Sequence, residues 1–176
     1  MIITPTDLAQ ACVIDLEKHA DERGFLARSF CREDFIRHGL PGEFVQCNIS
    51  FNARRGTLRG LHFQAEPAVE GKLVRCISGA VFDVMVDLRP HSISHRSWRG
   101  FHLSQENRRA LYIPPGFAHG FQTLTDNAEL FYQMSAAYQP ALDRGLRWDD
   151  PALGILWPLP DPILSPRDAA FPLLGG

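Results

Sequence analysis

An arginine and a histidine stand three positions apart in the segment GTLRGLHFQ, and together they could bind an anion and move a proton. Arg59 offers a guanidinium fork that suits phosphate, and His62 carries an imidazole that can accept and release a proton. On a regular strand these two side chains would point to opposite faces, because the period of a strand is two. A bulge at Gly60 would remove the conflict. The segment therefore predicts a base and an anion ligand that face one cavity.

Further motifs supply polar side chains that could join such a site. Lys72 follows a glycine, a Pro-Gly turn in IPPGFAHGF delivers His119 to a strand, and Asp168 stands in SPRD near the end of the chain. Tyr132 and Tyr138 lie six positions apart, so they would share a face if both were on one strand. Singly, each residue is better explained as a structural histidine, a core tyrosine or a solvated lysine than as part of a functional site. The combination carries the functional inference.

The composition is that of a globular protein, with 45% hydrophobic and 22% charged residues among 176. A chain of this length buries a sizeable core, and we expect one domain over residues 1–176. The formal net charge is −2 and the basic residues are scattered, which argues against a nucleic-acid partner. No apolar run of about 18 residues and no signal-peptide pattern is present, so we expect no membrane partner and a cytoplasmic location.

The four cysteines, Cys12, Cys31, Cys47 and Cys76, are far apart and form no CxxC pair. Such spacing favours neither a disulfide framework nor a zinc site. We expect them to be small buried hydrophobic residues.

Short apolar runs separated by glycine and proline predict strands and little helix. Residues 32–38 predict one helical turn closed by Gly39, and Gly79-Ala80 and Asp126-Asn127 stand at positions typical of hairpin turns. The sequence predicts an all-β sandwich or barrel, with the segment after Pro140 wrapping it as loops and short helical turns. The predicted strands are residues 12–16, 24–30, 44–50, 57–64, 72–77, 81–88, 98–103, 110–113, 120–125 and 129–136.

The turn formed by Pro114, Gly116 and His119 resembles the second motif of the cupin superfamily, PxGxxH. The first cupin motif usually supplies two further histidines and a glutamate, but here His62 is followed by Gln64 where the second histidine would stand. A catalytic metal needs three nitrogen ligands and a carboxylate in such a site, so we expect a cupin barrel without metal.

Seven segments spread over nearly the whole chain carry a further resemblance. In order they are DERGFLARSF, FVQCNIS, GTLRGLHFQ, GKLVRCISGAVFDVMVDLR, LYIPPGFAHGF, WDDPALGILWP and LSPRDAAFPLL. They resemble, in the same order, the dTDP-4-dehydrorhamnose 3,5-epimerase family. The resemblance implies a cupin jelly-roll barrel, a homodimer made partly by exchange of N-terminal strands, and no cofactor. It also implies a nucleotide-linked 4-keto-6-deoxyhexose as the small-molecule substrate.

The resemblance also implies roles for single residues. His62 matches the base that removes a proton beside the C4 ketone, and Asp168 matches the aspartate that pairs with it. Tyr132 matches the acid on the other face of the sugar, and Lys72 matches the residue whose ammonium faces the C4 oxygen. The residues that match the substrate-binding set are Arg23 and Arg59 beside the diphosphate, Arg28 near the base, and Gln46, Asn48, His119 and Tyr138 in the pocket; Asp83 matches an inward acid with a supporting role.

The chain departs from the family pattern near the nucleotide base. Arg28 stands where a glutamate is common, and Leu26 where an aromatic residue is common. A carboxylate can accept the N3–H of thymine, whereas arginine only donates hydrogen bonds. One hypothesis is therefore a nucleotide other than dTDP; the alternative is that Arg28 points to solvent or pairs with a local acid such as Glu33.

Three other activities are compatible with a related scaffold. A single-site epimerase would act at C3 only or C5 only with the same base and acid. A sugar-nucleotide 3,4-ketoisomerase would move the carbonyl, and a non-catalytic cupin would bind a sugar ligand without turnover. The joint presence of His62, Lys72, Tyr132 and Asp168 favours epimerisation over the ketoisomerase and the non-catalytic cupin. These residues do not distinguish double from single-site epimerisation, and double epimerisation is the preferred interpretation because the overall sequence pattern matches it best.

Overall fold

The computed structural model describes residues 1–175, which form many short strands and few helical turns. The helical elements in this range are α1 (Arg32–Arg37), a single 3-10 turn (Pro140–Leu142) and α2 (Pro166–Ala169). The strands are β1 (Ile2–Pro5), β2 (Cys12–Asp15), β3 (His19–Asp21), β4 (Gly24–Leu26), β5 (Gln46–Asn52), β6 (Leu58–Gln64), β7 (Lys72–Ser78), β8 (Ala80–Asp87), β9 (Trp98–Ser104), β10 (Ala110–Ile113), β11 (Phe117–Thr123), β12 (Ala128–Met134) and β13 (Asp143–Gly145).

Two antiparallel sheets pack face to face. One has six strands in the order β1-β2-β10-β7-β12-β5, and the other has five in the order β13-β6-β11-β8-β9. Successive strands such as β7 and β8, or β11 and β12, belong to different sheets. This alternation between two sheets is the arrangement of a jelly roll, and it confirms the expected all-β cupin barrel.

The core lies between the sheets and is filled from both sides. Val74 and Leu130 of the six-stranded sheet meet Met85 and Phe121 of the five-stranded sheet in one buried cluster. The strand β8 is buried along nearly its whole length, because the C-terminal segment packs against its outer face. The prediction that the residues after Pro140 wrap the barrel as loops and short helical turns is confirmed, with the short strand β13 added.

The predicted irregularity at Gly60 is present. His119 pairs with His62 and Phe121 with Arg59, so β6 carries one residue more than β11 over this interval. Gly60 has φ +130, and a Cβ at that position would lie 2.6 Å from the Cα of Gly120. The bulge turns Arg59 and His62 toward the same cavity, as the sequence predicted.

The two predicted hairpin turns are wrong. Gly79 links β7 to β8, and Asp126-Asn127 lie between β11 and β12, but each pair of strands is divided between the two sheets. Turn-forming residues mark a reversal of the chain without showing whether the next strand pairs with the last one. Here each turn carries the chain from one sheet of the barrel to the other.

Strands β3 and β4 form a separate small ribbon, which follows β1 and β2 near the N-terminus. The predicted strand over residues 24–30 is limited to β4, which pairs only with β3 in a two-stranded sheet. Every residue of β3 and β4 is exposed. By contrast, α1 and the turn at Gly39 occur where the sequence predicts them, with Phe35 buried against the six-stranded sheet.

All four cysteines are free, but they are not all buried. Cys12 and Cys76 are buried, Cys31 is half-buried and Cys47 is exposed. The prediction is wrong for Cys47 because β5 is an edge strand whose alternate residues point outward. Among residues 1–175, no helix has the length and apolar character needed to span a membrane.

Candidate active site

A cavity of about 540 Å³ opens between the two sheets. One wall comes from β5, β7 and β12, and the opposite wall comes from β6 and β11. The structure brings most of the predicted site residues to these walls. Those that line the cavity are Gln46, Asn48, Arg59, His62, Lys72, His119, Tyr132 and Tyr138.

A histidine–aspartate pair stands at the five-stranded wall. The Nε2 atom of His62 lies 2.8 Å from Oδ1 of the buried Asp168. Burial acts to raise the pKa of Asp168, but the hydrogen bond and charge of His62 outweigh it and hold the pKa below its usual value. The carboxylate can therefore fix the tautomer of the imidazole and stabilise its protonated form, leaving Nδ1 for proton transfer.

Helix α2 positions this aspartate although it has only one turn. Ser165 caps the helix by accepting a hydrogen bond from the backbone N–H of Asp168 at 3.0 Å. Just after the helix, Phe171 packs edge-on against the His62 ring, with centroids 5.6 Å apart. Gly145 makes this possible, since a Cβ there would lie 2.4 Å from the Phe171 ring. The C-terminal segment thus holds the imidazole from two sides.

A second histidine–carboxylate pair lies beside the first. His119 is the strand partner of His62, and its Nε2 atom lies 3.0 Å from both carboxylate oxygens of Asp83. Asp83 is fully buried on β8, as expected for an inward acid with a supporting role. The pair presents an imidazole to the cavity with its orientation fixed.

The lysine on the opposite wall is buried rather than solvated. Nζ of Lys72 forms an ion pair with Oε1 of Glu70 at 2.7 Å, and both side chains are buried. The other carboxylate oxygen of Glu70 is buried with no hydrogen-bond partner within residues 1–175. The ammonium is thereby fixed at the cavity wall, where it can stabilise negative charge on a ligand.

Tyr132 stands on β12, in the wall opposite His62. Burial raises the pKa of the Tyr132 phenol, and the positive charge of Arg59 offsets part of that rise. The phenol therefore stays protonated at neutral pH and can donate a proton or a hydrogen bond.

Tyr138 reaches the cavity by a different route from the one the sequence predicted. β12 ends at Met134, so Tyr138 lies in the following loop and does not share a strand face with Tyr132. Its hydroxyl donates to Asp143 at 2.7 Å, and Arg167 also contacts Asp143. Tyr138 is 45% exposed and forms part of the cavity rim.

The amide and guanidinium groups complete the polar lining. Gln46 and Asn48 follow each other on the inward face of β5 and share a hydrogen bond of 3.3 Å. Arg59 donates from Nε to Oδ1 of the buried Asn52 at 2.7 Å. Within residues 1–175, no three His, Cys, Asp or Glu side chains are grouped closely enough to hold a metal ion.

The sequence and the fold of this chain are both similar to those of known proteins. Residues 5–175 match the family model described as dTDP-4-dehydrorhamnose 3,5-epimerase. The chain belongs to this family. It is an isomerase that acts on a carbohydrate.

Individual relatives of the family cover almost all of the chain. A dTDP-4-dehydrorhamnose 3,5-epimerase from Methanothermobacter thermautotrophicus is 48% identical over 166 residues, which are 93% of this chain and 89% of the relative. A dTDP-4-dehydrorhamnose 3-epimerase from Streptomyces niveus is 40% identical over 169 residues, which are 96% of this chain and 81% of that relative. The crystal structure of dTDP-4-dehydrorhamnose 3,5-epimerase from Bacillus anthracis, with TDP and PPi bound, matches with a TM-score of 0.95 at 40% identity and covers 98% of this chain and 99% of that one.

Two residues of the family's predicted binding set do not reach the cavity of their own chain. Arg23 is exposed on the β3–β4 ribbon and pairs with Asp21 at 2.5 Å. Arg28 is exposed beside Glu17 and Asp34, away from the cavity, and no ion pair with Glu33 is present. Both residues lie on or next to the β3–β4 ribbon, whose strands pair with neither sheet of the barrel.

Sequence reasoning missed several residues that support the epimerase-family site. Glu70 could have been found, since it lies two positions before Lys72 and therefore on the same face of an extended segment. Phe171 carries no comparable signal, because it meets His62 only through the packing of distant segments. Asn52 and Asp143 lie seven and five positions from Arg59 and Tyr138, and these contacts depend on how the chain turns between the two residues.

Proposed function

We propose that this protein inverts C3 and C5 of a nucleotide-linked 4-keto-6-deoxyhexose, converting dTDP-4-keto-6-deoxyglucose to dTDP-4-keto-rhamnose. One observation carries the proposal. The His62–Asp168 pair and the protonated Tyr132 stand on opposite walls of one cavity, on different sheets. Epimerisation needs this arrangement, because a proton must leave one face of a carbon and another must arrive at the opposite face.

His62 acts as the base in this proposal. It takes the proton from the carbon next to the C4 ketone, and the electrons of the C–H bond move into an enolate whose charge rests on the C4 oxygen. Asp168 stabilises the imidazolium that results. Its buried position on α2 fixes the ring, so the base is oriented before the substrate binds.

Lys72 and Tyr132 complete the reaction. The Lys72 ammonium stabilises the negative C4 oxygen, an effect worth several kcal/mol in a water-excluded site. Tyr132 donates its proton to the opposite face of the carbon, and the ketone reforms with inverted configuration. The proton on His62 and the one lost by Tyr132 then re-equilibrate with solvent, so no proton is gained or lost overall.

The other lining residues fit the nucleotide half of the substrate. Arg59 and the oriented His119 can bind the diphosphate from the five-stranded wall. Gln46, Asn48 and Tyr138 offer hydrogen-bonding groups on the facing side. The proposal assigns the whole of residues 1–176 to one catalytic domain.

Proton exchange with solvent tests the reaction. The protein is incubated with dTDP-4-keto-6-deoxyglucose in deuterated water and followed by proton NMR. We expect deuterium to enter both C3 and C5 as the product forms. A folded protein that binds dTDP but catalyses no exchange at either carbon would overturn the proposal.

A single-site epimerase is the second candidate. The observation that favours it is the 40% identity to the Streptomyces niveus 3-epimerase over 96% of this chain. The same experiment distinguishes the two reactions, since a single-site enzyme incorporates deuterium at one carbon only.

The nucleotide is proposed to be dTDP because the named substrates of the family relatives carry it. Arg28 leaves a different base as the alternative hypothesis, since its guanidinium only donates hydrogen bonds. Competition of CDP, UDP and GDP against dTDP measures the preference. Tighter binding of any of the three would reject dTDP.

We also propose a homodimer in which the N-terminal ribbon reaches the partner's cavity. Two features support this. The ribbon is fully exposed, with Leu26 at 77%. The edge strand β5 carries exposed Ile49 and Phe51 beside the cavity, and exposed apolar patches of this type mark interfaces. Arg23 and Arg28 would then complete the site of the other subunit.

A further inference from the structure

A buried asparagine holds the arginine at the mouth of the cavity. Asn52 is 2% exposed at the end of β5. Its Nδ2 group donates to the carbonyl oxygens of Ser50 at 3.1 Å and Ala128 at 3.2 Å. Its Oδ1 atom accepts a hydrogen bond from Nε of Arg59 at 2.7 Å. Both N–H groups of the amide and one acceptor site of its oxygen are therefore used.

The backbone contacts determine which way the amide faces. The two carbonyl oxygens require the NH₂ group, so the oxygen must point to Arg59. The opposite orientation would place donors against the guanidinium and an acceptor against carbonyl oxygens. The backbone carbonyl groups thus orient the Asn52 amide so that its oxygen accepts the hydrogen bond from Arg59.

This anchor leaves the binding end of the arginine free. Nε is occupied by Asn52, whereas the two Nη groups remain for a ligand. Lys72, His62 and His119 line the cavity and each contacts a buried carboxylate, but Arg59 forms no ion pair within residues 1–175. The neutral amide of Asn52 orients the Arg59 guanidinium without neutralising its charge. A carboxylate in the place of Asn52 would offset that charge and weaken the attraction for an anionic ligand.

We propose that Asn52 is a positioning residue that presets the Arg59 guanidinium for the diphosphate of the substrate. The inference rests on the proposed function, in which Arg59 binds that group. Arg59 is exposed and has many rotamers, so without an anchor its side chain must be ordered when the ligand binds. Asn52 removes this cost before binding.

The test compares a ligand with phosphates and one without. Calorimetry measures dTDP and thymidine binding to the wild type and to Asn52→Leu, which has a similar volume but no acceptor. We expect the Kd for dTDP to rise roughly 2- to 12-fold, the range for ordering one flexible side chain, and the Kd for thymidine to stay unchanged. Asn52→Ser, whose hydroxyl is too short to reach Arg59, provides a second variant with the same expectation.

A matched control separates positioning from simple loss of stability. Gln122 is another fully buried amide, and it bonds only to the backbone of Leu159. Gln122→Leu should lower the melting temperature while leaving the ratio of dTDP to thymidine affinity unchanged. An equal shift in that ratio for Gln122→Leu and Asn52→Leu would overturn the inference.

A double-mutant cycle gives the decisive result. In an Arg59→Gln background, Asn52→Leu should cause no further loss of dTDP affinity, because the group that Asn52 positions is gone. Additive losses would contradict the inference, as would wild-type dTDP affinity in Asn52→Leu. If the wild type itself fails to bind dTDP, the proposed function and this inference fall together.

Discussion

At the scale of single residues, the proposed reaction depends on His62 and Tyr132, which face each other across the cavity. Tyr132 is the proposed acid, and burial keeps its proton in place by raising the phenol pKa. In Tyr132→Phe, His62 can still remove the substrate proton, but no phenol delivers a proton to the opposite face of the carbon. We expect epimerisation to slow about 10²–10⁴-fold while solvent exchange persists. NMR of product and exchange in one reaction checks this, and normal epimerisation would assign the acid to another group.

Asp168 provides the second prediction at this scale. Asp168→Asn keeps the shape of the side chain but removes the charge that stabilises the imidazolium of His62. We expect kcat to fall about 10²-fold or more, with the melting temperature and dTDP affinity close to those of the wild type. Unchanged kinetics in a folded variant would remove Asp168 from the mechanism.

The residue scale also shows what sequence can and cannot predict. His62 and Lys72 stand out by type and spacing, but Asp168 lies 106 positions from His62, and no local pattern connects them. Only the resemblance to the family predicts that Asp168 pairs with His62. Glu70 is within reach of a sequence argument because it lies two positions from Lys72, whereas the contact of Asn52 with Arg59 depends on the turn that joins β5 to β6.

At the scale of elements, a buried aspartate anchors the long connection from β8 to β9. Asp87 is fully buried and accepts hydrogen bonds from Arg89 at 2.7 Å and from Ser94 at 2.6 Å. Arg89 also donates to the carbonyl of Ala9, so the network ties this loop to the N-terminal segment. Burial acts to raise the pKa of Asp87, but these hydrogen bonds outweigh it and hold the pKa well below its usual range.

This network predicts a pH dependence of stability. The folded pKa of Asp87 is below the unfolded one, so its stabilisation is complete above about pH 4 and is lost as the pH falls further. Asp87→Asn should lower the free energy of unfolding at pH 7 by about 1.5–3 kcal/mol and weaken its decline in acid. Urea unfolding at pH 7 and pH 3 checks both. Parallel decline in the two proteins would contradict the assignment.

The elements themselves were predictable where a local rule governs them. The bulge at Gly60 follows from the need to bring Arg59 and His62 to one side, and β10 begins and ends where the sequence predicts. The turns at Gly79 and Asp126-Asn127 are not hairpins, because turn residues do not determine which sheet the next strand joins.

At the scale of the whole molecule, the proposed exchange of ribbons predicts complementation between subunits. His62→Asn inactivates a subunit's own cavity, whereas Arg23→Ala would weaken the cavity of its partner. In a mixed dimer, one cavity then has both residues intact. Refolding the two variants together at equal concentration should restore about a quarter of the wild-type activity, since half the dimers are mixed and one of their two sites works.

The two variants refolded separately are the control, and each should remain impaired. If the mixture shows only the sum of the separate activities, Arg23 does not act across subunits. Light scattering of the same samples gives the mass of the assembly, and a monomer would reject the exchange directly.

Deuterium incorporation by the wild type and His62→Asn side by side tests whether His62 is the base. Both proteins receive dTDP-4-keto-6-deoxyglucose in deuterated water, and dTDP affinity is measured on the same samples. We expect deuterium at C3 and C5 with the wild type, none with His62→Asn, and similar dTDP affinity for both. Continued exchange in His62→Asn would contradict it, because the proton would then leave the substrate without the base on which the mechanism depends.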